Sequence, residues 1–241
     1  MRLALLAAAA LLAGCATAAD LPPVNADALL LGEQHDAAAH PGLHQRWVQS
    51  LADQGRLAAV ALEMAERGVT TAGLPPDASE AQVQQALHWE TQAWPWPRYA
   101  PAVMAAVHAG VPVLGANLPR EEQREAMQDR NLDTLLPGPA LKAQQQAVRR
   151  GHCEMLPETQ IGPMTRIQIA RDRSMAQVVA GAVQPGKTVV LLAGSGHVEP
   201  AVGVPRHLPA GVRSESIVLP KEETGKDYCA QLRRQMRSGA G

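Results

Sequence analysis

Apolar residues are distributed along the chain in two kinds of pattern. The first kind is a short continuous run without alternating polar residues, which is typical of a strand buried on both faces of a parallel sheet. Four such runs cover residues 28–32, 57–64, 111–117 and 188–194, and a weaker fifth covers residues 216–219. The sequence therefore predicts at least four buried strands.

The second kind of pattern repeats apolar residues every three or four positions, as amphipathic helices do. It covers residues 37–54, 98–109 and 159–183, which lie between the predicted strands. Strands alternating with helices predict an α/β fold, here a mainly parallel open sheet with helices on both faces. Residues 119–165 have a mostly helical pattern and are expected to form a helical insert.

The amino terminus has the pattern of an export signal. Arg2 precedes an apolar run over residues 3–13, which is shorter than the roughly 20 residues that cross a bilayer. Residues 12–15, Leu-Ala-Gly-Cys, resemble a lipobox, so we expect cleavage before Cys15 and acyl chains such as palmitate on that cysteine. Cleavage near Ala19 as an ordinary secreted protein is the alternative.

These patterns divide the chain into four parts. We expect a lipoprotein signal peptide at 1–14, a tether at 15–26, an α/β domain at 27–220 and a carboxyl-terminal tail at 221–241. Because alanine rather than aspartate follows Cys15, we expect the protein to be sorted to the outer membrane and to face the periplasm. Arg233, Arg234 and Arg237 are expected to belong to a frayed, solvated tail.

Composition narrows the range of partners. The chain has 22 Lys and Arg against 23 Asp and Glu, a balance that argues against a nucleic-acid partner. It has no Phe, so three aromatic residues within six positions stand out: Trp94, Trp96 and Tyr99. After export, Cys153 and Cys229 would either form a disulfide or stay as buried thiols.

Polar residues cluster where the predicted strands end. The first strand leads into GEQH at 32–35, the second contains Glu63, the third ends at Asn117 and the fourth leads into GSGH at 194–197. The carboxyl ends of parallel strands border one crevice, so these residues are expected to converge. The glycines would let the backbone turn sharply and leave room for a ligand.

One interpretation of this crevice is a divalent-metal hydrolase. Imidazole and carboxylate groups bind zinc or manganese and can activate water, and the candidate ligands are Glu33, His35, Glu63 and His197. In that case His35, Glu63 and His197 would be catalytic. The chain lacks a compact metal motif such as HExxH, and Glu63 could instead be a structural carboxylate paired with Arg171. His35 and His197 could likewise have only a structural role, in which their hydrogen bonds hold turns of the backbone.

Several motifs together resemble the ChaN-like haem-binding uptake family of the Tiki superfamily. The two GxxH motifs are accompanied, in order along the chain, by LEM at 62–64, WPWPRYAP at 94–101, ANLPRE at 116–121, GHCEMLPE at 151–158 and RDRSMA at 171–176. The similarity spans residues 27–208. It implies a lipid-anchored protein of haem and iron uptake or storage, with haem held between the two subunits of a homodimer. Related branches are metal-dependent peptidases and erythromycin-esterase-like enzymes, so the fold alone does not decide between a haem binder and an enzyme.

If the ligand is haem, Tyr99 is the first candidate for the axial ligand, because it begins an apolar helix beside two tryptophans. Trp94 and Trp96 would then wall the porphyrin. The candidates for a second ligand, or for a hydrogen bond to it, are His35, His152 and His197. The candidates for binding the propionates are Arg120 and Arg171. The alternative for Tyr99 is ordinary packing with its hydroxyl at the surface.

The remaining histidines carry less weight as site residues. We expect four of them to be solvated on helices or their flanks: His40, His44, His88 and His108. The chain has no CxxCH motif, so a bound haem would be held noncovalently. The sequence thus favours a non-enzymatic haem binder over a hydrolase.

Overall fold

A computed structural model describes residues 21–238, and the predicted signal peptide and Cys15 lie outside the described residues. The strands are β1 (Ala28–Glu33), β2 (Leu57–Glu66), β3 (Val113–Asn117), β4 (Thr188–Gly194) and β5 (Ser214–Val218). The helices are α1 (His40–Asp53), α2 (Glu80–Ala86), α3 (Trp96–His108), α4 (Arg120–Gln128), α5 (Gly138–Gly151), α6 (Glu158–Gly181), α7 (Val204–His207) and α8 (Tyr228–Ser238).

The five strands form one sheet in the order β3-β2-β4-β1-β5, and every neighbouring pair is parallel. The α/β class is therefore confirmed. All five predicted strands are present, with ends that differ by a few residues from the apolar runs. The central strands are buried along their length, as expected for strands covered by helices on both faces.

Alternation along the strands assigns residues to the two faces of the sheet. Leu29 and Leu31 of β1 pack in one apolar cluster with α1 and α3. Leu30 of β1 and Ala61 of β2 pack in a second cluster with α6. By the same alternation, Glu33 lies on the α1 and α3 face, and the second strand carries Glu63 on the α6 face.

The segment between β3 and β4 forms the predicted helical insert. It consists of α4, a 3₁₀ turn at Arg130–Thr134, α5 and the long helix α6. A third apolar cluster joins these elements through residues that include Leu132, Leu136 and Ile169. The insert is thus built on the same helix, α6, that covers one face of the sheet.

The carboxyl-terminal residues pack back on the domain. Residues 220–227, here called the strap, lie against the loop that follows β1. The Glu222 carboxylate accepts the N–H groups of Ala38 and Ala39, at 2.6 and 2.9 Å. Beyond the strap, Cys229 in α8 forms a disulfide with Cys153, with a Cα–Cα distance of 5.6 Å. The segment expected to be a free tail is therefore a strap and a crosslinked helix.

The predicted tether also contributes to the domain. Val24 is buried and packs in the same cluster as α1, and its carbonyl accepts a 2.6 Å hydrogen bond from Arg56. The folded part thus begins before residue 27. Between residues 21 and 238, no helix combines the length and apolarity needed to cross a membrane.

Candidate functional site

Three of the predicted site residues meet at the carboxyl edge of the sheet. The Nε2 atom of His35 lies 4.0 Å from Oε2 of Glu63, and Nε2 of His197 lies 3.5 Å from Oε1 of the same carboxylate. His35 follows β1, Glu63 is on β2, and His197 is in the 3₁₀ turn Ser195–Val198 that follows β4. The parallel sheet brings these residues together although they are far apart in sequence.

Glu33 is the centre of a cluster on the α1 and α3 face. Its Oε1 atom accepts hydrogen bonds from the Tyr99 hydroxyl at 2.6 Å and from Nδ1 of His35 at 2.7 Å. Nε2 of His44 lies 3.5 Å from Oε2. Burial opposes ionisation of Glu33, but the hydrogen bonds outweigh it and lower the pKa of the carboxyl. Glu33 is therefore a buried carboxylate that orients the His35 ring.

Tyr99 lies beneath this cluster rather than at the surface. Only 1% of the residue is exposed, and its ring is 5.5 Å from that of Trp89 and 6.2 Å from that of Trp94. Burial and the neighbouring Glu33 carboxylate raise the pKa of its hydroxyl. The Tyr99 hydroxyl thus donates to Glu33 instead of lying at the surface, and its expected role as axial ligand stays a prediction.

The other two aromatic candidates have different surroundings. Trp96 is buried in the core, and its indole N–H donates to Glu80 at 2.6 Å. Trp94 is half-buried, and its ring meets the His35 ring edge to face with centroids 4.9 Å apart. Of the two tryptophans expected to wall a porphyrin, only Trp94 lies beside His35.

Glu63 is the centre of a second cluster on the α6 face. Its Oε1 accepts a 2.5 Å hydrogen bond from Arg171, and its Oε2 accepts the Gly194 N–H at 2.6 Å. Burial raises the pKa of Glu63, but the positive charges of His197 and Arg171 outweigh it and lower the pKa well below its usual range. The sequence allowed Glu63 to be either a catalytic residue or a structural carboxylate paired with Arg171. The pairing with Arg171 is present.

His197 is the second cation of the Glu63 cluster. Its Nδ1 donates to Asp172 at 2.6 Å, and the residue is almost completely buried. Burial alone would lower its pKa, but Glu63 and Asp172 raise the pKa to about 10. The two carboxylates therefore favour the protonated ring of His197.

His35 differs from His197 in its exposure. Its side chain is 40% exposed, with Nδ1 held by Glu33 at 2.7 Å and Nε2 4.0 Å from the Glu63 carboxylate. Burial opposes protonation, but Glu33 and Glu63 together raise the pKa of His35. A side chain at Gly194 would place its Cβ only 2.9 Å from Nε2 of His35, so glycine at this position makes room for the ring.

The sequence also matches a known protein family. The family model described as "Haem-binding uptake, Tiki superfamily, ChaN" matches residues 23–208. The chain belongs to this ChaN family.

Two solved structures resemble the chain. A structure of ChaN of Campylobacter jejuni, titled for its cofacial heme binding, has a TM-score of 0.64 and 24% identity, covering 85% of this chain and 84% of that one. This likeness shows a shared fold. The type III effector HopBA1 has a TM-score of 0.40 and 17% identity, covering 83% and 79% of the two chains. The comparison with curated proteins gave no match.

The remaining candidates from the ChaN-like motifs are divided between the site and the insert. Arg171 is engaged by Glu63 and by Asn117, whose Oδ1 is 2.9 Å from its Nε. Arg120 has an exposed side chain, and its N–H donates to Glu66 at the end of β2. His152 follows α5 in the insert, and its Nδ1 pairs with the Val148 carbonyl at 2.8 Å. Arg120 therefore lies at the same edge as His35, whereas His152 belongs to the insert beside the disulfide.

A metal centre is not supported by the described residues. None of their His, Cys, Asp and Glu side chains form a group of three or more that could hold a metal ion. The physical reason is that the candidate donor atoms already have partners: Glu63 binds Arg171 and the Gly194 N–H, and His197 is a buried cation.

The prediction that His40 and His44 are solvated was wrong. Both are fully buried on the inner face of α1. His40 uses both ring nitrogens, one with the Gln34 N–H at 3.1 Å and the other with the Pro220 carbonyl at 2.9 Å. The signal was present in the sequence, because both residues share the three- and four-residue spacing of buried Val48 and Leu51. His88 and His108 are exposed, as expected.

Proposed function

We propose that this chain binds haem noncovalently, with Nε2 of His35 as the axial ligand of the iron. The observation that carries the proposal is the orientation of the ring: Nδ1 is hydrogen-bonded to Glu33 at 2.7 Å, and Nε2 lies at the rim of the sheet, 4.0 Å from the Glu63 carboxylate, in a side chain that is 40% exposed. Histidines that bind iron in proteins commonly donate their other ring N–H to a carboxylate, which fixes the tautomer and raises ligand basicity.

The other side chains of the site are less suited to bind iron. His197 is a buried cation, and both ring nitrogens of His40 are occupied. The Tyr99 hydroxyl is buried and donates to Glu33. Within residues 21–238, His35 is therefore the imidazole at the carboxyl edge that combines a part-exposed side chain with a carboxylate support.

Two further residues fit a haem placed on His35. Trp94 packs edge to face on the His35 ring, so its apolar surface would lie against the porphyrin. Arg120 has an exposed guanidinium at the same edge of the sheet, and arginine pairs well with carboxylates such as the propionates. Arg171 is already paired with Glu63, so we assign the propionates to Arg120.

Haemin titration of the purified protein tests this proposal. We expect a saturable Soret shift, and we expect His35→Ala to weaken binding by more than the roughly 10–100-fold that loss of a supporting residue causes. His108→Ala is the matched control, because His108 is exposed on α3 and belongs to neither cluster. An unchanged spectrum and affinity in His35→Ala would exclude His35 as the ligand.

We also propose that the protein is a lipoprotein of haem uptake, anchored through Cys15 in the outer membrane and facing the periplasm. The support is the lipobox-like sequence at residues 12–15. The chain also enters the domain near Val24, ahead of the amino end of β1, whereas His35 follows its carboxyl end. Metabolic labelling with palmitate checks the anchor: we expect label in the wild type and none in Cys15→Ala, which should appear in the soluble periplasmic fraction. Labelled Cys15→Ala would contradict it.

A haem bound at the open rim would have one face uncovered by this chain, so we propose that a second copy covers it in a homodimer. Sedimentation velocity with and without haemin tests this step. We expect dimers to form with haem in the wild type and not in His35→Ala. A haem-loaded wild type that sediments as a monomer would refute the dimer while leaving the ligand assignment intact.

A further inference from the structure

The strap is fixed at both of its ends. At its start, the Leu219 N–H donates to the Gly32 carbonyl and continues the ladder of β1 and β5. At its end, Cys229 in α8 is bonded to Cys153, which follows α5 in the insert. The strap therefore runs from the sheet to the insert, and the disulfide is its covalent attachment to the insert.

The strap contacts the loop that follows β1. Besides the two N–H groups held by the Glu222 carboxylate, the Gln34 side chain forms two hydrogen bonds with the backbone of Glu222, at 3.0 and 3.1 Å. Asp36 of the same loop is paired with Lys226 at 3.1 Å and accepts the hydroxyl of Tyr228 at the start of α8. The strap thus holds the position of a loop that borders the candidate site.

Apolar burial contributes little to this attachment. Residues 220–235 and 237 include no buried residue, and segments with few buried contacts open locally at low cost. The disulfide fixes one end of the strap, which keeps the Glu222 carboxylate at a high effective concentration beside its N–H partners. Loss of the disulfide would therefore let the strap leave the loop.

The disulfide is accessible to other thiols. Cys153 and Cys229 are both partly exposed, and exposed disulfides exchange more readily than buried structural ones. Cys153 and Glu154 also have φ angles of 55° and 57°, in the left-handed region that favours glycine. The backbone of the turn that carries Cys153 is therefore strained. These features fit a disulfide that exchanges better than one that only stabilises a core.

We propose that the Cys153–Cys229 disulfide is an exchange site for a dithiol reductant of the thioredoxin type, and that its reduction releases the strap from residues 34–39. A thiolate of the reductant attacks one sulfur and forms a mixed disulfide, and the other cysteine leaves as a thiolate. The second thiol of the reductant then displaces the remaining cysteine. The chain gains two electrons and two protons and ends with two thiols, while the dithiol is oxidised to its disulfide.

Release of the loop changes the rim of the candidate site. The loop carries His35, whose ring packs against Trp94, so motion of the loop disturbs both side chains. A ligand bound at this rim would be held less tightly in the reduced protein. This consequence for haem rests on the proposed function, whereas the release of the strap occurs without haem.

Hydrogen exchange measured by NMR on the haem-free protein, before and after reduction by thioredoxin, tests the release. We expect two new thiols, counted by maleimide labelling, and faster exchange of the Ala38 and Ala39 amides. The increase should be about 10–100-fold, as loss of a hydrogen bond to a charged group produces. The amides of the central strand β4 should not change. No reduction of the native protein, unchanged exchange at residues 38 and 39, or faster exchange throughout the sheet would each overturn the proposal.

Variants of the strap and of the disulfide locate the effect. Cys153→Ser combined with Cys229→Ser should reproduce the faster exchange without a reductant. Glu222→Gln should do so with the disulfide intact, because it removes the charge that holds the two N–H groups. Lys221→Ala is the matched control, since Lys221 is exposed beside Glu222 and makes none of these contacts. Exchange as fast in Lys221→Ala as in Glu222→Gln would overturn the assignment to the Glu222 contacts.

Haemin dissociation separates this inference from the proposed function. We expect haemin to leave the double serine variant several-fold faster than the wild type, and this variant is used because free thiols can bind haem iron. Equal dissociation rates, with the strap released in the haem-free protein, would overturn the coupling to the ligand. A protein that binds no haemin in either form would overturn the proposed function, while hydrogen exchange would still decide the release of the strap.

Discussion

Glu33 and Glu63 are both buried carboxylates at the same edge of the sheet, but their charges are balanced differently. Glu63 lies between two cations, Arg171 and the protonated His197, and also accepts a backbone N–H. Glu33 is held by the Tyr99 hydroxyl and by His35, and its third neighbour is His44. Burial lowers the pKa of His44 to about 4, so this ring is neutral.

This difference separates a structural cluster from a ligand-binding one. The Glu63 cluster is closed, since its charged groups are directed at one another and only Arg171 among them is partly exposed. The Glu33 cluster is open, because the side chain of His35, the ring that it orients, is 40% exposed. We therefore expect changes at Glu63 to affect folding most, and changes at Glu33 to affect the ligand.

The largest expected effect is that of Glu63→Gln on stability. The substitution leaves two cations, Arg171 and His197, without their shared anion, and breaking a buried pair costs about 3–5 kcal/mol. Glu33→Gln is the matched variant, and we expect a smaller loss of about 1–3 kcal/mol because mainly hydrogen bonds are changed. Urea unfolding of both variants measures the difference. Equal losses would contradict the contrast between the two clusters.

The next largest effect is on the pH dependence of stability. His197 of the Glu63 cluster and His44 of the Glu33 cluster are expected to change the free energy of unfolding in opposite directions as pH rises. The pKa of His197 is raised to about 10, so its contribution is present below pH 6.5 and is lost as pH rises toward 10. The pKa of His44 is lowered to about 4, so its contribution is present above pH 6.5 and is lost as pH falls toward 4.

Thermal or urea unfolding at several pH values checks these signs. We expect His197→Gln to lose part of the alkaline decline of stability, and His44→Leu to lose part of the acid decline. Stability curves of both variants that run parallel to the wild-type curve would show that these histidines do not cause the dependence.

The smallest expected effect on stability, with a clear effect on haem, is that of Gly194→Ala. The new Cβ would lie 2.9 Å from Nε2 of His35, and the backbone angles at Gly194, φ −58° and ψ 147°, suit alanine. The half-exposed ring can move aside, so the cost should be below the roughly 1–3 kcal/mol of an overpacked core. We expect haemin to bind several-fold more weakly.

Gly196→Ala is the control for this substitution, because a Cβ at Gly196 has no atom within 4 Å. Haemin titration of both variants gives the comparison. Equal affinities would show that the space beside Nε2 of His35 is not needed for the ligand.

Much of the fold could be predicted from the sequence because continuous apolar runs are typical of strands that are buried on both faces of a parallel sheet. The convergence of His35, Glu63 and His197 followed from the same reasoning, since strand polarity alone places the ends of strands together. The different environments of these three side chains could not be predicted from strand polarity. Burial, which separates the half-exposed His35 from the buried His197, depends on how the loops pack.

The position of Tyr99 was also beyond sequence reasoning. A tyrosine at the start of an apolar helix can face solvent or a buried carboxylate, and the spacing of residues does not distinguish these cases. The strap was missed for a related reason: Glu222 contacts Ala38 and Ala39 across more than 180 residues. Its composition is polar, as in a free tail.

The disulfide between Cys153 and Cys229 closes a covalent ring that contains His197 and Arg171 but not His35 or Glu63. A protease that cuts once between residues 154 and 170 would therefore leave two pieces still bonded to each other. The halves that carry His35 and His197 would migrate as a single species on a gel until a reducing agent separated them.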